Sequence, residues 1–155
     1  MVKAYITAPY TSKSIGTTEN SYGQITDLAY KNFLESIDSI IRSCGLETIL
    51  PHRDTYEWGT ITLEPKRLMR QSFENLKQCD VLVAYPENSK GVNIIIGWAS
   101  MMNKKIIILQ TAKENVSIVH AGLDAIAETK IVKFTDIAEL RTKLKDVLNS
   151  FVPHH

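Results

Sequence analysis

Residues 79–109 read CDVLVAYPENSKGVNIIIGWASMMNKKIIIL. Two short apolar runs, 80–85 and 105–109, enclose a segment that opens with a Ser-x-Gly turn at Ser89 and Gly91 and continues as a helix. The runs are unbroken where a strand with one wet face would alternate, so both read as strands buried on two faces. Strand, helix and strand in that order form a parallel unit, because parallel neighbours need a crossover connection.

The same alternation extends in both directions. Further strand-like runs lie at 2–7 (VKAYIT), 46–51 (LETILP) and 130–134 (KIVKF). Leu28, Phe33, Ile37, Ile40 and Ile41 mark one face of a long helix, which Gly45 is placed to stop in a left-handed cap. Pro65 suits the first turn of another helix, with Leu68, Phe73 and Leu76 predicted inward. A shorter helix is predicted over 118–127. The last spans 136–151, with Leu140, Leu144, Val147 and Leu148 inward and Thr135 or Asp136 as N-cap. The order predicts a three-layer, Rossmann or flavodoxin-like α/β fold: a parallel five-stranded sheet with helices on both faces. One domain over 1–152 is expected, with 153–155 a possible tag remnant.

Composition narrows the function. Eighteen basic residues against 17 acidic, a formal net charge of +1, give no electrostatic reason for nucleic-acid or membrane-surface binding. No apolar run approaches the ~20 residues that span a bilayer. Cys44 and Cys79 lack metal or disulfide spacing and read as buried thiols of a cytoplasmic protein. A small molecule is the expected partner, with no metal and no cofactor, since the His/Cys clusters, the GxSxG elbow, the Walker loop and the dinucleotide fingerprint are all missing.

In a sheet of this kind the ligand crevice lies beyond the C-terminal strand ends, which gathers loops 8–23, 51–64 and 85–91 around one mouth. Ser89 and Gly91 open onto a helix whose free N–H groups favour an anion. Loop 8–23 is rich in hydroxyls and carries Lys13. Loop 51–60, PHRDTYEWGT, sets His52, Arg53, Asp54 and Glu57 beside Tyr56 and Trp58, which suits stacking on a flat heterocycle with polar groups at its edge. Each loop also has a plain structural reading: a helix cap, a solvated loop, an Arg53–Asp54 surface pair. Asp80 reads as a strand-end cap or pair, His120 as a packing residue, and Trp98 with Met101 and Met102 as core or interface.

With these residues placed, the chain resembles the nucleoside 2-deoxyribosyltransferase-like family, which includes deoxynucleoside 5′-monophosphate N-glycosidases. The resemblance covers nearly the whole chain: a YITAPY opening, a PHRDxxxWG loop and the 79–109 segment. The family pattern S-x-G-x-x-x-E-x-G-x-A is met at Ser89, Gly91, Gly97 and Ala99. Its glutamate, the nucleophile at the sugar C1′, is replaced by Ile95, and the second family acid falls on Ser72. An isoleucine has no lone pair with which to attack.

The resemblance implies ligand contacts from Tyr5, Ala8, Pro9 and Tyr10, from His52, Asp54 and Trp58, and from Ser72, Ser89 and Gly91. Ser89 matches a phosphate contact, and Ser117 a serine lent by a neighbouring subunit, which implies a homodimer or a higher homo-oligomer. Asp54, Glu57 and Asp80 are the candidate substitute acids. Three functions stand open: N-glycosidase or transferase, nucleotide-binding protein without catalysis, and interaction protein whose apolar 94–102 helix meets a second copy.

Overall fold

Residues 1–18 and 23–151 are described by the computed structural model. Strands β1 (Lys3–Thr7), β2 (Glu47–Ile49), β3 (Val81–Ala84), β4 (Lys105–Thr111) and β5 (Thr129–Phe134) form one parallel sheet in the order β2-β1-β3-β4-β5. Between and after them run α1 (Leu28–Ser43), α2 (Pro51–Asp54), α3 (Pro65–Gln78), α4 (Lys90–Met101), α5 (Ile118–Ala121) and α6 (Ile137–Phe151). This is the flavodoxin-like architecture that residues 79–109 predict. The expected tag remnant, 153–155, lies outside the described residues, as do 19–22 of loop 8–23.

Two apolar layers explain why the central strands are unbroken. Val81 and Val83, with Ala4, Ile6 and Ile107, face the core shared with α1 and α6. Leu82 and Ala84, with Tyr5, Ile106 and Ile108, face the core under α3 and α4. Period-2 alternation therefore sends successive side chains into two different interiors, and both must be apolar.

Asp27 caps α1 through its side chain on the Tyr30 amide, and Gly45 ends that helical segment at φ +87, the left-handed conformation that suits glycine. Asp136 accepts a hydrogen bond from the Glu139 amide at the start of α6. Several expectations are corrected. Leu28 lies on the exposed side of α1, while the buried stripe runs through Tyr30, Leu34, Ile37 and Ile41 at helical spacing. Phe73 is exposed and meets Trp98 edge to face at 5.4 Å. The inward stripe of α3 holds Ser72, Asn75 and Leu76, two polar residues that hide the face from a hydrophobicity count. The second strand stops at Ile49, because Pro51 starts a helical turn. The helix expected over 118–127 breaks at Gly122 into α5 and a short 3₁₀ turn, Leu123–Ala125.

No helix among the described residues is long and apolar enough to cross a membrane. Cys44 and Cys79 are unpaired, and burial pushes the Cys79 thiol up to about 12, which leaves it protonated at neutral pH.

Candidate functional site

The chain runs from β1 to β2 on one side and then crosses to β3 on the other, so the direction of sheet growth reverses between β1 and β3. Just beyond their C-terminal ends lies a cavity of about 220 Å³, walled by β1, α2, α3 and α4. A second, outer cavity of about 430 Å³ shares Thr11, Ser89 and Gly91 with it, so the two form one cleft.

Tyr5, Ala8, Tyr10, His52, Ser72, Ser89, Gly91 and Ile95 are brought together in the inner wall. The Tyr5 phenol is raised to about 12, chiefly by burial, with the Ser72 side chain pulling the other way. Ser72, where the resemblance would put a second acid, contributes a neutral hydroxyl to the same wall. Ile95 belongs to the buried stripe of α4 with Val92, Ile96 and Ala99, and is 9% exposed. The 94–96 triplet accordingly divides: Ile94 is 45% exposed, Ile96 packs into the core, and Ile95 ends in the cavity wall. Among the described residues, no aspartate or glutamate lines the inner cavity.

The outer cavity has a different character. Lys13 and Lys90 line it beside Glu87, and Lys13 reaches Glu87 at 3.0 Å. Ser89 caps α4 by accepting from the Val92 amide at 3.3 Å, which sets the remaining first-turn N–H groups at the junction of the two cavities. Pro9 lines this outer part.

The 51–60 segment, expected as an open loop, is ordered by hydrogen bonds into α2 and a 3₁₀ turn, Glu57–Gly59. Asp54 folds back to cap α2, accepting from the Leu50 amide at 3.0 Å and from Arg53 Nε at 2.8 Å. Burial pushes its carboxyl up, but the Arg53 and Leu50 hydrogen bonds outweigh that and hold it below the usual range, so it stays ionised. Arg53 also reaches the buried Asp38 on α1, which holds Thr48 of β2 at 2.5 Å. Glu57 takes the Thr60 hydroxyl. Successive positive φ values at Glu57, Trp58 and Gly59 turn the chain sharply. Trp58 then packs on the α1 side with Lys31 over its ring, and Tyr56 supplies the aromatic wall of the cavity instead.

Asp80 sits at the N-terminal end of β3, accepting from the Lys3 amide, at the opposite end of the sheet from the cleft. Ser117 caps α5 and lines a separate, smaller cavity of about 80 Å³ with Gln110 and His120. His120 pairs with Asn93 at 2.8 Å. Asp54, Glu57, Asp80, Trp58 and Ser117 are therefore not brought to the inner cavity. Thr7, Met69 and Lys90 line the cleft without having been singled out in the sequence. Lys90 had a signal, since it follows the capping serine. Thr7 and Met69 had none apart from the fold. Among the described residues, no His, Cys, Asp and Glu group is placed to hold a metal.

No family model matches the sequence, and no curated protein is similar to it in sequence. Solved structures are similar in fold. A CMP N-glycosidase from Clostridium botulinum, BcmB, matches with 23% identity over 92% of this chain and 97% of its own, at a TM-score of 0.64. BlsM matches with 24% identity over 95% of this chain and 93% of its own, at a TM-score of 0.69. A 2-deoxyribosyltransferase from Bacillus psychrosaccharolyticus matches with 11% identity over 90% of each chain, at a TM-score of 0.55. The chain thus has the fold of the nucleoside 2-deoxyribosyltransferase and nucleotide N-glycosidase-like proteins.

Proposed function

We propose that the protein binds a nucleoside 5′-monophosphate in this cleft and leaves its N-glycosidic bond intact. The base and sugar occupy the inner cavity, and the phosphate lies beside Ser89, Lys13 and Lys90. The observation that carries the reading is an inner cavity lined by hydroxyls, aromatics and one histidine, with Ile95 in its wall and no carboxylate among the described residues. Glycosidic cleavage needs a nucleophile or base on one side of the bond and an acid on the other. Ser72 offers a neutral hydroxyl and no acid, and Asp54, Glu57 and Asp80 lie elsewhere. Two lysines and the first turn of a 12-residue helix supply the charge complement of a phosphate.

A thermal-shift screen of nucleosides and their 5′-monophosphates tests this, since a ligand of the folded state raises the melting temperature by mass action. Monophosphates should shift it more than the parent nucleosides, and chromatography of the incubated samples should show no free base. Absence of any shift would contradict the reading.

The same protein is proposed to be a cytoplasmic homodimer of single-domain subunits. Ile118 and Val119 of α5 are 87% and 69% exposed, and Met101 at the end of α4 is 85% exposed. Side chains of this kind support a subunit interface. A Ser117 that touches phosphate would then come from the second copy, which fits its position outside the inner cavity of its own subunit. Light scattering on a size-exclusion column should give twice the subunit mass, and a monomer would contradict the dimer.

A further inference from the structure

Lys13 and Glu87 bridge the mouth of the cleft. Lys13 ends a short 3₁₀ turn, Thr11–Lys13, that follows β1, and Glu87 stands in the turn between β3 and α4. Nζ meets Oε1 at 3.0 Å, and both side chains line the outer cavity with Ser89 and Lys90. They are 31% and 28% exposed, so a solute in the cavity reaches both. Oε1 is covered in this contact and has no other partner among the described residues.

The turn itself gives no reason for a glutamate. Its φ is +43, a left-handed conformation that glycine or asparagine adopts at lower cost. The turn is closed by backbone alone, the Ser89 amide donating to Pro86 O at 2.8 Å. What the Glu87 side chain supplies is a negative charge on Lys13. Of the three ionised side chains that line the outer cavity, the two lysines attract a phosphate and Glu87 repels it, and Glu87 already holds one of the lysines. An ammonium has protons for two acceptors, yet a carboxylate and a phosphate brought to one cation repel each other.

We infer that the Glu87 carboxylate is an autoinhibitory occupant of the phosphate site, displaced from Lys13 when the 5′-phosphate of a nucleotide takes its place. The inference rests on the nucleotide reading above and adds how that site is regulated. A free phosphate ion has only the outer cavity to offset the lost ion pair. A nucleotide adds the contacts of base and sugar in the inner cavity, and its tethered phosphate arrives at high effective concentration. The contact therefore keeps the site shut to simple anions and lets the whole nucleotide in.

The test compares wild type with Glu87→Gln, which removes the charge and keeps a side-chain oxygen. Glu87→Gly, which suits the left-handed backbone, takes its place should the first variant not fold. Titration calorimetry of a 5′-monophosphate and its parent nucleoside should show the ratio of their affinities rising about fivefold or more in the variant. Inorganic phosphate, followed by NMR, should saturate the variant at a concentration lower than wild type requires by a similar factor. A ratio that stays level or falls, or phosphate binding that does not tighten, overturns the inference and leaves the nucleotide reading intact: Glu87 would then hold Lys13 in place for the phosphate. If monophosphate binds no better than nucleoside to either protein, the phosphate placement fails and this inference falls with it.

Discussion

Replacing Ile95 by glutamate sets a carboxylate into the cavity wall, at the position where the resemblance would put a nucleophile. If the cleft is otherwise a nucleotide site, I95E combined with Ser72→Asp, which supplies an acid as well, should release free base from a bound monophosphate, measured by chromatography, while the wild-type protein releases none. The substitution should also cost about 2 kcal/mol or more of stability in urea unfolding, since an acid enters a largely apolar wall. A folded double variant that binds nucleotide and releases no base would show that Ile95 is not a lost nucleophile position. Lys13 belongs to the same scale. Lys13→Ala removes the cation that pairs with Glu87 and lines the outer cavity. Its expected signature in titration calorimetry is weaker binding of the monophosphate, on the order of tenfold, with the nucleoside unaffected. Equal weakening of both would place Lys13 away from the phosphate.

At the scale of elements, the cleft depends on how the chain around Tyr10 and 23–25 is closed on itself and leans on the 51–60 segment. The Ile25 amide donates to Trp58 O at 2.8 Å, and the Tyr10 hydroxyl donates to Gly23 O at 3.1 Å. Gly59 permits this approach: its φ is +104, and a Cβ there would stand 2.6 Å from Gln24 Cα and 2.8 Å from the Tyr10 hydroxyl. Gly59→Ala should therefore lower stability by about 2–3 kcal/mol and weaken nucleotide binding through displacement of Tyr10, both measurable on one sample. Wild-type stability with wild-type affinity would show that the loops tolerate separation.

This pair of elements also marks the limit of what the sequence discloses. The two-faced apolar runs of β3 and β4 specify their parallel pairing directly, because alternation and burial follow from backbone geometry. Ser89 as a helix cap and Gly45 as a left-handed stop were legible for the same reason. Trp58 was not, since its direction depends on three consecutive left-handed residues that PHRDTYEWGT does not advertise. Asp54 resembled a site acid because chain adjacency cannot distinguish a carboxylate aimed at a ligand from one that caps its own helix. Asp80 was excluded only by topology, which puts the start of β3 far from the end of β1.

For the whole molecule, His52 couples the cleft to folding. Its pKa is lowered to about 4 in the folded protein, against the ordinary 6.5, because burial disfavours the imidazolium. The unfolded chain therefore binds the proton more readily between these values. The contribution to stability is fully present above about pH 6.5 and is lost as pH falls toward 4, by about 3 kcal/mol in total. The buried fraction of His120 shifts its pKa in the same direction. Melting temperature should decline across that window, and His52→Gln should flatten the decline. A His52→Gln profile parallel to wild type would show that the ring is not the responsible group.

The most direct measurement follows the anomeric proton of a 5′-monophosphate by NMR with the protein in molar excess, so that every nucleotide is bound and even a slow single turnover registers. The expected result is a shifted resonance that keeps its intensity over many hours, a nucleotide held and not cleaved. Growth of free base and free sugar phosphate would contradict a cleft without a working acid or nucleophile.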